Sequence, residues 1–204
     1  MGNISLRTAR ISDAKDMLAL YSPYVEKTAI SFEYTTPSLP EFEERITSIL
    51  SRFPWIIAEK NKKILGYAYA SPFHSREAYR WCAEVSIYID TQHRQQGIGS
   101  ILYASLERIL RQQHVMIMYA CIAKPTQEDT HLTMASMRFH QKMAFIPVGE
   151  FPQCGFKFGT WYDIVWMEKR LFQPNKQPSP LVPFPCLPPD IIAGCLQDTG
   201  GRMQ

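Results

Sequence analysis

The chain has 204 residues, 46% hydrophobic and 20% charged, with a net charge of +3, enough for one domain with a sizeable core and an appendage. No lysine–arginine cluster interrupts it and no apolar run nears membrane-spanning length, so neither nucleic acid nor membrane is expected as a partner. The five cysteines form no CxxC pair and the five histidines stand apart from Cys and acidic residues; reduced thiols, no metal site and a cytoplasmic location are expected, in keeping with a start that shows no secretory pattern.

Ile4 to Arg10 reads as a short strand. Ser12-Asp13 offers an N-cap to a helix with Met17, Leu20, Tyr21, Tyr24 and Val25 on one stripe. Thr28 to Pro37 is a loop, and Ser38-x-x-Glu41 is a capping box opening a second helix. Two strands, Trp55 to Glu59 and Ile64 to Ser71, flank a hairpin turn at Asn61-Lys62-Lys63. A polar loop, Pro72 to Arg80, leads to a strand in which Val85, Ile87 and Ile89 alternate with Glu84, Ser86, Tyr88 and Asp90. Ile98, Leu102, Leu106, Ile109 and Leu110 then mark a helix that ends near Gln113. Val115 to Ile122 reads as a buried strand, Leu132 to Met143 as a helix, and Phe145 to Phe151 and Phe156 to Met167 as closing strands. The order predicts an α/β (α+β) domain of three layers, a mixed sheet with helices on both faces. After Leu171 seven prolines fall within sixteen residues. Residues 172–204 therefore read as a disordered or loosely draped tail, without helix or central strand, to a domain of residues 1–171.

Between the central strand and its helix lies Arg94-Gln95-Gln96-Gly97-Ile98-Gly99. Glycines there let backbone N–H groups turn inward at the positive end of a helix, which makes an anion site. Strand, Arg94-x-x-Gly97-x-Gly99 and amphipathic helix together resemble the acyl-CoA pyrophosphate loop of the GNAT superfamily of N-acetyltransferases. Arg76-x-Ala78-Tyr79-Arg80, Glu84-Val85-Ser86-Ile87-Tyr88, Thr28-x-x-Ser31-Phe32-Glu33 and Trp161-Tyr162-Asp163 narrow the likeness to the phosphinothricin acetyltransferase family, from about Ile4 to about Leu171.

That resemblance implies two central strands splayed apart, here those ending near Asp90 and near Ile122, with pantetheine of acetyl-CoA lying between them as a pseudo-strand. Ser86, Ile87, Tyr88 and Ile89 would meet pantetheine. Arg94, Gln95, Gln96, Gly97, Ile98, Gly99 and Ser100 would surround the phosphates, and Thr133 and Ser136 would also contact the cosubstrate. It also implies a homodimer. Acetyl transfer to an amine needs a base for the ammonium and an acid for the departing thiolate; Glu84 and His140 are the candidates, His140 because imidazole exchanges protons near neutrality. The implied acceptor is a small amino-acid-like amine of the phosphinothricin or methionine sulfoximine type. Arg76 and Arg80 would hold its acidic end, with Lys157 as a weaker candidate, and Phe32 and Tyr79 would wall the pocket. Other readings are acetylation of a protein N-terminus or a polyamine, or a CoA-binding module without catalysis. Three departures from the family pattern stand out: Thr133 where asparagine is usual, Ala144 where glycine is usual, and His74 where arginine is frequent.

Overall fold

The computed structural model describes residues 4–173 and 177–197. Seven strands form one sheet in the order β1-β2-β3-β4-β5-β7-β6. They are β1 (Ser5–Thr8), β2 (Trp55–Lys60), β3 (Lys63–Pro72), β4 (Cys82–Ile89), β5 (Ile117–Lys124), β6 (Ile146–Lys157) and β7 (Thr160–Arg170). Every neighbouring pair is antiparallel except β4 and β5. Turn chemistry explains the hairpins. Asn61 and Lys62 join β2 to β3 with φ of 51° and 63°, and Phe158 and Gly159 join β6 to β7 with φ of 51° and 74°. Two consecutive left-handed residues match the twist of the flanking strands.

Helices cover both faces, as the three-layer reading requires. On one side α1 (Ala14–Lys27) and α2 (Leu39–Leu50) pack Met17, Val25, Phe42 and Ile46 against Trp55, Ile57 and Tyr67. The capping box of α2 forms as the sequence predicts: Glu41 N donates to Ser38 Oγ, and Ser38 N donates to the Glu41 carboxylate at 2.7 Å. On the other side α3 (Ile98–Gln112) buries Ile98, Leu102, Leu106, Ile109 and Leu110 against Ala83, Val85 and Met118. The fourth helix, α4 (Ala135–Lys142), is shorter than the predicted Leu132–Met143. Its start is delayed because Thr133 Oγ1 and the Glu128 carboxylate take the amides of Ala135 and Met134. Periodicity cannot see such local capping. β6 runs on past the predicted Phe151 to Lys157, so the last strand starts and ends later than Phe156–Met167, and register shifts between Pro147 and Gly149 and between Phe151 and Gly155 absorb the extra residues of β6.

The expectation of a loose tail is corrected over residues 177–197. A short turn, Phe184–Cys186, and a helix, α5 (Pro189–Leu196), lie against α3 and bury Phe184, Leu187 and Cys195. Proline does not prevent this helix because Pro188 is its N-cap and Pro189 its first residue, where no intrahelical N–H is needed. The predicted tail positions 174–176 and 198–204 lie outside the described residues. Among the described residues no helix is long and apolar enough to cross a membrane.

Candidate active site

The site begins where β4 and β5 part. They pair in parallel at Cys82–Ile117, Ala83–Met118 and Glu84–Tyr119, and no further. Beyond that point the facing edges diverge into a slot lined by Val85, Ser86, Ile87 and Tyr88 on one strand and Ala120, Cys121, Ile122 and Ala123 on the other. Unpaired strand edges are strong hydrogen-bonding surfaces, and a chain of amide groups of strand-like shape satisfies them. The open end leads to the glycine turn. Gly97 has φ of 80° and is the N-cap of α3, whose first amides have no partner within the helix. A Cβ on Gly97 would meet nothing within 4 Å, so the turn is an open cradle whose shape depends on left-handed backbone. Gly99 differs: a Cβ there would lie 3.0 Å from the Phe139 ring, so its smallness serves the packing of α3 on α4. Gln95 also has positive φ, at 61°. Arg94 and Gln96 are exposed beside the turn, and the Arg94 guanidinium stacks 5.0 Å over Tyr24. Ser100 N is already turned to Gly97 O at 3.1 Å.

Glu84 stands in the last paired register before the fork opens. It is half-buried, no side chain among the described residues pairs with it, and burial raises its pKa above the usual carboxylate value. It shares a strand face with Ser86 and Tyr88, the face covered by α1. His140 and Tyr103 reach the slot from α4 and α3, on the opposite side of the sheet. His140 is buried, and its Nδ1–H donates to Ser136 O at 2.8 Å. A carbonyl only accepts, so Nε2 carries the lone pair and accepts from the Tyr103 hydroxyl at 3.0 Å. Burial pushes the imidazole pKa down to about 4, the Ser136 bond opposing, so the ring is neutral near pH 7. Sequence reasoning did not single out Tyr103. A tyrosine within the apolar stripe of α3 was the available signal, because a buried phenol needs a partner.

The predicted acceptor residues do not gather at one point. Lys157 is corrected outright. It is buried, and its ammonium donates to Val25 O, Thr28 O and Ser31 O at 2.7, 2.9 and 2.6 Å. All three donors are used on carbonyls at the end of α1 and in the following loop, so Lys157 fastens that loop and has none left for an acceptor. Phe32 lies on the same loop with its ring against Gly155, where a Cβ would lie 2.0 Å away, and 6.4 Å from the Tyr162 ring. Arg76, Tyr79 and Arg80 line a second, smaller cavity with His74 and Arg52. Arg80 pairs with Glu77 and stacks on Trp81 at 4.7 Å, while Arg76 has no side-chain partner among the described residues. Thr133 is exposed and caps α4, and Ser136 lines the slot.

The acetyltransferase (GNAT) domain family matches residues 6–166. The chain belongs to that family. It is an acyltransferase that uses acetyl-CoA. Among its relatives, a phosphinothricin N-acetyltransferase of Streptomyces coelicolor is 32% identical over 182 residues, spanning 82% of this chain and 96% of the relative. An L-methionine sulfoximine/L-methionine sulfone acetyltransferase of Pseudomonas aeruginosa is 28% identical, spanning 82% and 94%. The solved structure of a GNAT superfamily phosphinothricin acetyltransferase from Sinorhizobium meliloti in complex with AcCoA superposes with a TM-score of 0.78, at 28% identity, covering 89% of this chain and 98% of that one.

Proposed function

We propose that this acetyltransferase acts on the α-amine of small amino-acid-like acceptors that carry a second, anionic group. The observation that carries the reading is a lone, half-buried carboxylate, Glu84, at the crotch of a cosubstrate fork. The names of the relatives supply the acceptor class: a phosphinothricin N-acetyltransferase and a methionine sulfoximine/sulfone acetyltransferase. Acetyl-CoA brings the activated thioester. Glu84 takes a proton from the acceptor ammonium, directly or through one water, and its raised pKa suits that task near neutrality. The freed nitrogen forms the new C–N bond as the C–S bond breaks, and the leaving thiolate needs a proton. The acid role expected of His140 passes to the pair. Neutral His140 orients Tyr103, whose hydroxyl turns about its C–O bond to give its proton to sulfur and regains one from the second proton that the acylated nitrogen sheds, so the buried phenol ends neutral. Arg76 meets the acceptor's acidic group, joined by Arg80 when it leaves Glu77, and Tyr79 stands beside them.

Two finer statements belong to the same reading. The five cysteines are free thiols, which suits the cytoplasm. The enzyme is a homodimer: β6 is an edge strand whose Ile146, Val148 and Phe151 are exposed, a surface fitted to a second copy. The test of acceptor class is a screen of amino acids, phosphinothricin, methionine sulfoximine, polyamines and a peptide N-terminus for acetyl-CoA-dependent thiol release. Turnover confined to the amino-acid analogues is the expected result. Turnover confined to polyamines or peptides would overturn the assignment.

A further inference from the structure

The segment 177–197 lies beyond the residues that the family match covers, yet it is tied to the part of the sheet from which the fork opens. The Trp81 indole N–H donates to Ser179 O at 2.8 Å, and Trp81 immediately precedes β4. On the other strand, the residues that lead into β5 are held as well. His114 Nδ1 bonds Pro180 O at 2.8 Å, Val182 N donates to Gln113 O at 3.0 Å, and Gln113 Nε2 donates to Val182 O at 2.9 Å. Gln113 is fully buried, and Nε2 also donates to Arg52 O at 2.8 Å, a carbonyl that accepts from Phe184 N too. Trp81 O closes the circuit by accepting from Met116 N at 2.8 Å, the last bond before the parallel pairing of β4 and β5. Apolar anchorage accompanies these bonds: Phe184, Leu187 and Cys195 are buried in the core that α3 forms with β4 and β5. Arg108 of α3 then donates to Cys195 O at 2.9 Å and Gln197 O at 3.1 Å, fixing the far end.

We propose that this segment is a clasp across the closed end of the β4–β5 fork, and that it serves acetyl transfer by fixing where Glu84 stands relative to the cosubstrate slot. The argument is one of leverage. Only three residue pairs join β4 to β5, and Glu84–Tyr119 is the last of them. Only Cys82, Ala83 and Glu84 separate the clasped Trp81 from Val85, the first residue of β4 that lines the slot. A small rotation of the strand starts therefore displaces the carboxylate directly, whereas the glycine turn lies beyond the opposite end of β4 and is held by α3. The clasp is thus a positioning element, and loosening it should lower turnover more than it weakens acetyl-CoA. This inference rests on Glu84 being the base.

The experiment uses the full chain. Trp81→Phe keeps an aromatic ring beneath Arg80, so that kcat and the KM for acetyl-CoA rather than the acceptor KM are read, and removes the donor to Ser179 O, while Phe184→Ala removes the main apolar anchor. Hydrogen exchange reports release of 181–196 and of the β4–β5 amides, calorimetry with CoA counts competent sites, and steady-state kinetics gives kcat per competent site and KM for acetyl-CoA. Phe184→Ala should lower kcat roughly 10-fold, the scale set by small misplacements of a catalytic group, with KM for acetyl-CoA changed less than about 3-fold. Trp81→Phe should shift both in the same pattern by a smaller factor. Should Phe184→Ala fail to fold, Trp81→Phe decides alone. Parental kcat per site in a folded variant whose clasp exchange shows to be released overturns the proposal. Glu84→Gln run in parallel separates the two ideas: parental turnover in Glu84→Gln defeats the base assignment, while slow Glu84→Gln beside parental clasp variants defeats the clasp alone.

Discussion

His140 and Ala144 sit four residues apart at the end of α4, and each departs from what its residue type suggests. A histidine by a reaction centre invites an acid role because free imidazole titrates near neutrality. Here the bond to Ser136 O fixes the tautomer and burial keeps the ring neutral, so the exchangeable proton facing the slot belongs to Tyr103. Linkage has a definite sign. The folded pKa of His140 lies below the ordinary value, so the stability it contributes is full above pH 6.5 and is lost as pH falls through about 4. Ala144 takes φ of 65°. It is the residue after the C-cap, with Phe145 N on His140 O and Ala144 N on Gln141 O, both at 3.0 Å, the paired bonds of a Schellman ending that favours glycine. Ala144→Gly should therefore stabilise the protein by about 1 kcal/mol, the cost of holding a Cβ in the left-handed region. Urea melts measure it, and an unchanged or lower midpoint would contradict it. The sequence exposed this position only by comparison with a family pattern, because no periodicity marks a helix end of this kind. Lys157 was legible as a cation and misread as to task, since its partners are carbonyls that no sequence pattern encodes.

At the scale of elements, the strands and helices with strong periodicity were legible. The capping box Ser38-x-x-Glu41, the alternation in β4 and the stripe of α3 all reappear as read. The turn Arg94-x-x-Gly97-x-Gly99 was legible as a strand-to-helix glycine turn, but not the division of labour within it. Gly97 is needed for its backbone angle and Gly99 for contact with Phe139, a partner forty residues away in sequence that only the fold supplies. The C-terminal segment was the largest miss. Composition weighs proline as a breaker wherever it stands, while position decides: at an N-cap or first helical residue proline costs nothing in hydrogen bonds, and the buried Phe184 and Leu187 provide the anchorage. Tyr103 was missed for the opposite reason, being hidden in an apolar stripe whose spacing it fits.

On the proposed mechanism the whole molecule sets a fork, a glycine turn and two proton-handling groups on opposite faces of one sheet. Glu84 belongs to the face under α1, while Tyr103 and His140 come from α3 and α4. An acceptor approaching one face and a thiolate released toward the other need never compete for one group. On the proposed homodimer, with the second copy against the exposed apolar residues of β6, sedimentation of the full chain should give twice the 23.5 kDa chain mass; a monomer at micromolar concentration would contradict this. The measurement that tests the account most directly is the comparison of Glu84→Gln with the parent. Calorimetry would give CoA affinity, and turnover would be followed from pH 6 to 9. CoA should bind both equally, because the carboxylate lies at the closed end of the fork, away from the cradle. Turnover should fall by about 10²-fold or more, the usual range for a lost general base, with the basic limb of the profile moving toward the free amine's own ionisation. Near-parental turnover by Glu84→Gln at pH 7, with CoA bound normally, would contradict the account.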